Sequence, residues 1–244
     1  MSQNNYDRQD FFENYIKLDR QVKGLEGAPE WAQLRAMLPD LNGLSVLDLG
    51  CGFGWFSRFA RENGAELVRA IDISEKMLKG AGEMTSDDQI KYERADLEEL
   101  RLAEGKYDLI FSSLAFHYVA NIAGLIKEIG VGLKPSGRLV CSIEHPIYTA
   151  PSRPKFLGNE ETGDKSWPLN NYQKEGPRIS NWLAPGIEKQ HRTVGTYINT
   201  MLRNNLQLTD FVEWCPTEEE LKRVPTLESE VVRPTFLLLG ATRY

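Results

Sequence analysis

The feature that most restricts the fold of this chain is a run of apolar residues that leads directly into a glycine-rich turn. Residues 44–49 are apolar apart from Ser45 and Asp48, as expected for a strand covered on both faces of a parallel sheet. Alternate glycines follow, which permit an unusual backbone path and a close approach to a ligand: Gly50, Gly52 and Gly54. A helix is expected over residues 55–63, and the N–H groups at its start would face the turn. The pattern predicts a ligand site in an α/β protein.

The spacing of the turn separates two classes of cofactor. Dinucleotide-binding proteins use G-x-G-x-x-G, but the sixth position counted from Gly50 is Trp55. The chain instead has Asp48-x-Gly50-x-Gly52-x-Gly54, which resembles motif I of the class I S-adenosylmethionine (SAM) methyltransferases. A carboxylate at this strand end suits the sulfonium and ammonium groups of SAM, whereas a dinucleotide would place phosphates there. A purely structural strand–turn–helix remains the alternative.

Further candidate cofactor residues follow the next predicted strands. Asp72 ends the second strand about 20 positions after the turn, where an acidic residue binds ribose hydroxyls in Rossmann-like sites. In the SAM methyltransferases that this chain resembles, an Asp at the position of Asp96 contacts the adenine amino group. The complete predicted cofactor set is Asp48, Gly50, Cys51, Gly52, Gly54, Asp72, Ile73, Met77, Asp96, Leu97 and Ser112, with Tyr15 and Arg20 at the SAM carboxylate. For Tyr15 and Arg20 an ordinary place on a surface helix is the alternative.

Strand and helix patterns alternate from residue 44 to residue 145, which predicts a doubly wound, mostly parallel sheet. Two later strands, at 206–215 and 233–243, would complete a seven-stranded Rossmann-like sheet with an antiparallel C-terminal strand. We expect a single domain over 1–244 with four parts. These are an N-terminal helical cap (1–42), a SAM-binding core (43–145), a lid insertion after the fifth strand (146–190), and a C-terminal helix with closing strands (191–244).

The predicted lid has little periodicity and is rich in proline and aromatic residues. Long irregular segments inside a domain often cover binding sites. The residues expected to contact an acceptor are Trp167, Tyr172, Trp182 and His191. The alternative is that this segment packs on the surface of the domain without covering a binding site.

Three histidines are candidates for a general base. His145 comes first because it follows the fifth strand at the carboxyl edge of the sheet, and His117 and His191 come after it. Each could equally be a hydrogen-bonded structural residue. Holding two reactants in line is worth about 7–11 kcal/mol, whereas a general base contributes roughly 10²–10⁴-fold. Methyl transfer could therefore proceed without a base.

Charge and motif content restrict the partners. The net charge is −6 without a basic block, which disfavours nucleic acid. Methyltransferases acting on amino groups of DNA bases or glutamine typically carry Asn or Asp followed by Pro-Pro and an aromatic residue, where this chain has Ser112-Ser-Leu-Ala115. A small-molecule acceptor is therefore expected.

No apolar run of about 18 residues and no signal peptide are found, which predicts no membrane span and a cytoplasmic location. The cysteines lack metal-binding spacing, so no metal is expected.

Several segments together resemble a bacterial group of type 11, ubiquinone/menaquinone-biosynthesis-like SAM methyltransferases. The segments are Tyr15-x-x-Leu-Asp-Arg20, Gly24-Leu25, Val46–Trp55, Ser112–Tyr118, Glu144-His-Pro146, His191-Arg-Thr193 and Arg233-Pro234. The resemblance implies in-line methyl transfer from SAM, leaving S-adenosylhomocysteine. One departure is Ala70, where a glycine commonly stands. A SAM-binding protein without turnover is the main alternative, and an NAD-dependent enzyme is disfavoured by Trp55. The oligomeric state stays open.

Overall fold

The computed structural model describes residues 3–158 and 164–244. Its strands are β1 Ser45–Leu49, β2 Leu67–Asp72, β3 Ile90–Arg94, β4 Tyr107–Ser113, β5 Leu133–Glu144, β6 Leu157–Gly158, β7 Lys165–Ser166, β8 Gly176–Ser180, β9 Ile187–His191, β10 Leu206–Glu213 and β11 Phe236–Arg243. Its helices are α1 Gln9–Tyr15, α2 Asp19–Val22, α3 Trp31–Ala36, α4 Trp55–Glu62, α5 Glu75–Glu83, α6 Ile122–Gly132, α7 Pro146–Thr149, α8 Val194–Leu202, α9 Glu218–Arg223 and α10 Glu228–Val232.

The main sheet has seven strands in the order β10–β11–β5–β4–β1–β2–β3. Strands β1 to β5 are parallel, and β11 is antiparallel to both β5 and β10. This confirms the predicted Rossmann-like sheet. The strand order reverses between β1 and β4, because the chain leaves β1 towards β2 and later returns to β4 on its other side. Such a switch point opens a crevice at the carboxyl ends of the strands, where ligands bind.

The apolar run of β1 is explained by packing on both faces of the sheet. Val46 belongs to one buried cluster and Leu47 to the other. Successive strand residues point to opposite faces, so a strand with helices on both sides needs apolar residues throughout. On the Val46 side, the rings of Phe56 and Phe111 stack with their centroids 3.6 Å apart. This contact fixes α4, and with it the glycine turn, against the sheet.

Helix α5 follows β2 as predicted, because the hydroxyl of Ser74 accepts the backbone N–H of Met77 at 3.1 Å. The sequence predicts a helix over 191–205 with Thr193 as its candidate cap. Thr193 does cap α8, through the N–H of Thr196, whereas His191 ends β9.

Strand β5 is longer than expected. The sequence Pro135-Ser-Gly137 predicts a turn ahead of this strand, but β5 already begins at Leu133. Ser136 takes a left-handed conformation with φ +64°, and the pairing of β4 with β5 shifts its register between Tyr107 and Leu109. Pro135 and Gly137 thus lie inside the strand, in a region where its pairing with β4 is irregular.

The segment predicted as an irregular lid contains short regular elements. Helix α7 starts it, β6 pairs with β7, and β8 pairs with β9 in antiparallel ribbons. Residues 159–163 of the predicted lid lie outside the described residues. Over residues 3–158 and 164–244, no helix combines the length and apolar character needed to cross a membrane.

Candidate functional site

A cavity lies at the carboxyl edge of the sheet, next to the glycine turn. It encloses about 1210 Å³ of empty space, part of which is open to solvent. Eleven residues predicted as site residues line it: Tyr15, Arg20, Gly50, Gly52, Asp72, Ile73, Met77, Asp96, Leu97, His117 and Trp182. We call this space the main cavity. Its place at the switch point of the sheet is where proteins of this architecture bind their ligands.

The glycine turn is held in place by the end of β2. The N–H groups of Gly50 and Cys51 donate to the carbonyl oxygen of Ile71 at 2.8 and 2.9 Å. Gly52 has φ +53°, and a Cβ atom added there would meet no atom within 4 Å. The space beside Gly52 therefore belongs to the main cavity, and a glycine keeps it open in a backbone conformation that other residues rarely adopt.

Asp72 presents a fixed carboxylate to the main cavity. One oxygen accepts the N–H of Gly52 at 2.9 Å, and the other accepts the N–H of Ser74 at 2.9 Å. Burial raises the pKa of Asp72, and the two backbone N–H groups oppose this rise. A carboxylate can accept about four hydrogen bonds, so capacity remains for two further donors such as vicinal hydroxyls.

Asp48 was predicted at the cofactor, but the structure places it behind the turn, outside the lining of the main cavity. Its carboxylate accepts the hydroxyl of Ser57 at 2.7 Å, inside α4. The side chain is almost fully buried, and this burial raises its pKa to about 7. Asp48 therefore joins β1 to α4, because its hydrogen-bond partner Ser57 belongs to that helix.

Three other predicted cofactor residues also lie outside the lining. Cys51 packs on the apolar cluster that contains Val46. Gly54 starts α4 at φ +70°, and Tyr92 occupies the place of a side chain there. The hydroxyl of Ser112 donates to the carbonyl oxygen of Leu49 at 2.8 Å inside the sheet, and Ser113 lines the main cavity instead.

The N-terminal segment folds over the main cavity and contributes Tyr15 and Arg20. Arg20 donates to both carboxylate oxygens of the fully buried Glu30, at 3.0 and 3.1 Å. Tyr6, which the sequence did not single out, also lines the cavity. Its ring makes an edge contact with Tyr15, with the centroids 4.9 Å apart. Tyr6 and Tyr15 thus form the wall of the main cavity on the side of the N-terminal segment.

His145, predicted as the first candidate base, does not line the main cavity. The ring is fully buried, and its Nδ1 accepts the N–H of Ile147 at 3.0 Å, capping α7. Nε2 therefore carries the proton and donates to Glu213 at 3.0 Å. Burial lowers the pKa of His145, against the opposing effect of Glu213. With both nitrogens engaged, the ring has no free atom to offer an acceptor.

Glu144, the residue before His145, lines the main cavity instead. Its carboxylate forms a buried ion pair with Lys189. Burial alone would raise the pKa of Glu144, but the Lys189 ammonium lowers it below its ordinary value. The position of Glu144 at the carboxyl end of the fifth strand predicts that it lies near the path of the methyl group. Its partner Lys189 could not be predicted, because it lies in the distant strand β9.

His117 lines the main cavity close to the backbone of Glu144. Its Nδ1 accepts the N–H of Glu144 at 3.3 Å. Burial lowers the pKa of His117 to about 4, so the ring is neutral at neutral pH. His117, a predicted candidate base, therefore lies on the wall of the main cavity. Its role in catalysis stays a prediction.

Of the four predicted acceptor residues, Trp182 alone lines the main cavity. The indole N–H of Trp167 donates to the carbonyl oxygen of Ile147 at 3.0 Å, and the hydroxyl of Tyr172 accepts the N–H of Val194 at 3.1 Å. His191 bonds through Nε2 to the carbonyl oxygen of Tyr172 and through Nδ1 to Thr149. Trp167 therefore holds the lid together internally, whereas Tyr172 and His191 connect the lid to the C-terminal part of the chain. The polar atoms of all three are used within the protein.

The residues of the main cavity fit SAM. Asp72 and Asp96 offer carboxylates for ribose and adenine donors, and Gly52 leaves open space beside the turn. Ile73, Met77 and Leu97 add apolar surface for a flat ring. Within the described ranges, no group of three or more His, Cys, Asp or Glu residues could hold a metal ion.

Comparison with known proteins agrees with this site. A model of the type 11 methyltransferase domain matches residues 47–141. A SAM-dependent methyltransferase from Mesorhizobium loti is 49% identical, with a TM-score of 0.87, over 90% of this chain and 100% of that one. A putative SAM-dependent methyltransferase from Listeria monocytogenes is 42% identical, with a TM-score of 0.84, over 91% and 99% of the two chains.

A malonyl-[acyl-carrier protein] O-methyltransferase from Enterobacter lignolyticus is 39% identical over 106 residues, which cover 43% of this chain and 41% of that protein. This match is partial, whereas the two structural relatives match along nearly their full lengths. Family model, sequence and fold therefore agree. The chain belongs to the SAM-dependent methyltransferases and is an enzyme, and its residues 47–141 match the type 11 methyltransferase domain.

Proposed function

We propose that this enzyme transfers the methyl group of SAM to a small-molecule acceptor by in-line displacement and releases S-adenosylhomocysteine. The observation that carries the proposal is the composition of the main cavity. Asp72, Gly52 and Asp96 lie on its wall beside the glycine turn, and His117 and Glu144 lie on the same cavity's lining near β5. Donor and acceptor would then meet inside one enclosed space.

In this proposal each part of SAM has a matching group. Asp72 accepts the ribose hydroxyls, Asp96 accepts the adenine amino group, and the methionine part lies along the glycine turn. Arg20 and Tyr15 bind the methionine carboxylate, since Arg20 keeps donors beyond the nitrogen that contacts Glu30. SAM supplies the electrophilic methyl group, and the protein aligns it with the acceptor.

A small acceptor is favoured by the way the cavity is enclosed. Tyr6 and Trp182 both contact Phe11 edge to face, with centroids 4.9 and 5.7 Å apart. These rings restrict access from the side of the N-terminal segment and the lid. The net charge of −6 opposes binding of nucleic acid phosphates. The partial match to a malonyl-[acyl-carrier protein] O-methyltransferase supports methyl transfer without defining the acceptor.

The free thiols of Cys51, Cys141 and Cys215 suit the reducing environment of the cytoplasm.

Calorimetry tests the cofactor part of the proposal. SAM and S-adenosylhomocysteine should bind, and NAD should not. Asp72→Ala should weaken SAM binding at least tenfold, because hydrogen bonds to a charged group are worth about 1.5–3 kcal/mol each. Asp88→Ala, a change of the same kind on the exposed surface, is the matched control and should leave SAM affinity unchanged. Binding of NAD in place of SAM would contradict the proposal, as would unaltered SAM affinity in Asp72→Ala for the ribose site.

A further inference from the structure

We infer that His117 and Glu144 together select a hydroxyl group as the methyl acceptor, so that this enzyme is an O-methyltransferase. The inference rests on the proposed function and specifies the atom that it methylates. It is based on the hydrogen-bonding capacity that the two side chains leave unused on the lining of the main cavity.

Glu144 supplies an acceptor atom without a partner. One carboxylate oxygen is paired with the Lys189 ammonium, and both side chains are almost completely buried. The other oxygen, Oε2, is buried and has no hydrogen-bond partner among the described residues. Leaving a buried carboxylate oxygen unpaired costs free energy, because the group has lost its hydrogen bonds to water. A ligand that donates a hydrogen to Oε2 would remove this cost.

His117 supplies the complementary donor. Because Nδ1 accepts the backbone N–H of Glu144, the proton of the neutral ring must be on Nε2. Burial keeps the ring neutral by lowering its pKa to about 4. Nε2 has no hydrogen-bond partner within residues 3–158 and 164–244, and the side chain lines the main cavity. His117 can therefore donate to a ligand, and it cannot remove a proton from one.

This pairing of one donor with one acceptor matches a hydroxyl group. A hydroxyl oxygen gives its hydrogen to Glu144, receives the Nε2–H of His117 on one lone pair, and keeps its second lone pair for the methyl carbon. A neutral amine has a single lone pair, which cannot both accept from His117 and attack. A protonated amine has none, and a thiol sulfur is a weak acceptor. Oxygen is thus the nucleophile that satisfies both side chains.

The reaction balances without another reagent. The acceptor oxygen forms the new O–C bond, the S–C bond breaks, and its electron pair remains on sulfur as the sulfonium becomes a neutral thioether. The hydroxyl proton moves to Oε2 of Glu144 and leaves to solvent afterwards. The lowered pKa of Glu144 is no obstacle, because the oxygen becomes strongly acidic as it acquires the methyl group.

A second cavity provides room for the rest of the acceptor. It lies beneath the lid with about 980 Å³ of empty space, part of it open to solvent. Glu144 and Tyr148 line both cavities, so the two spaces adjoin at the carboxylate that receives the hydroxyl. An acceptor larger than the reacting group can thus extend from the main cavity into this second one.

The first experiment identifies the methylated atom. The enzyme is incubated with SAM carrying a ¹³C-labelled methyl group and a small-molecule extract of cells that express its gene, and the product is analysed by carbon–proton NMR. We expect the labelled methyl carbon on oxygen. A methyl group on nitrogen, sulfur or carbon would overturn this inference and leave the proposed function standing. Binding of SAM without any methylated product would instead contradict the proposed function.

The second experiment assigns the two side chains. Glu144→Gln and His117→Phe should each lower kcat on the hydroxyl acceptor, by about 10²–10⁴-fold for Glu144→Gln, with SAM affinity within twofold. His117→Gln, which keeps a donor, should retain more activity than His117→Phe. Glu213→Gln is the matched control, because Glu213 contacts His145 away from both cavities. Retention of wild-type kcat in Glu144→Gln would overturn the inference.

Removing the charge of Glu144 leaves Lys189 without its ion-pair partner, which could disturb folding. A second variant therefore has to separate a loss of folding from a loss of catalysis. The double variant Glu144→Gln, Lys189→Met removes both charges and should fold, as measured by circular dichroism, while kcat stays as low as in the single variant. Recovery of wild-type kcat in the double variant would show that Glu144 serves only to neutralise Lys189, which contradicts the inference.

Discussion

The carboxylate of Asp72 accepts the backbone N–H of Gly52 at 2.9 Å, joining the end of β2 to the glycine turn after β1. The two elements that the sequence predicts at the cofactor are therefore one hydrogen-bonded unit. A change in the turn alters the orientation of the carboxylate, and a change of the carboxylate releases the turn. Binding of SAM should respond to both.

A side chain at position 52 should block the cofactor. Gly52→Val fills open space beside the turn and should weaken SAM binding more than tenfold. Gly43→Val is the matched control, because Gly43 also has a positive φ, +73°, and an added Cβ meets no atom within 4 Å. Both variants should lose stability from backbone strain, by roughly 1–2 kcal/mol or more. Calorimetry and thermal unfolding separate the two effects, and equal SAM affinity in the two variants would argue against the turn as the cofactor site.

The two lid tryptophans should behave differently. Trp182 lines the main cavity and lies under the Lys189 ammonium, 4.6 Å from its ring centroid. Trp167 instead bonds to the backbone of α7. Trp182→Ala should raise the KM for the acceptor severalfold and change SAM affinity only slightly. Trp167→Ala should leave this KM unchanged and lower the melting temperature. A large loss of SAM affinity in Trp182→Ala would mean that the lid covers the cofactor.

His145 should be important for stability and not for chemistry. His145→Ala leaves the N–H of Ile147 and the carboxylate of Glu213 without their partner, which should cost about 1–3 kcal/mol of unfolding free energy. His145→Asn should recover part of this loss, since an asparagine side chain can cap α7. Denaturant unfolding and kcat are measured on the same samples. A folded His145→Ala variant with normal stability but a large loss of kcat would restore the base predicted from sequence.

Asp48 should make stability depend on pH. Burial raises its pKa to about 7, so between about pH 4 and pH 7 the folded protein holds a proton that the unfolded chain has released. The contribution of Asp48 is therefore fully present below its unfolded pKa and is lost as the pH rises through 7. Without SAM, the stability of wild type relative to Asp48→Asn should increase as the pH falls through this range, by at most about 4 kcal/mol. Urea unfolding at both ends of the range measures it, and a constant difference would contradict the pKa shift.

The sheet and the cofactor end of the cavity could be predicted because their signals are local. A strand, three alternate glycines and a helix are contiguous in the chain, and Asp72 ends β2 at the same edge because parallel strands share a direction. The same reasoning could not place the side chain of Asp48, since a spacing pattern does not tell whether a side chain faces the ligand or the neighbouring helix.

The reacting end of the cavity was decided by tertiary structure. The sequence favoured His145 for the chemistry of imidazole, but adjacent positions at a strand end point in different directions, and here Glu144 faces the cavity while His145 caps α7. Lys189, which keeps Glu144 ionised, comes from β9, and Tyr6 comes from the N-terminal segment. Sequence alone determined a SAM-type turn in a parallel sheet. Only long-range packing decided which carboxylate and which histidine meet at the acceptor, because those contacts join segments far apart in the chain.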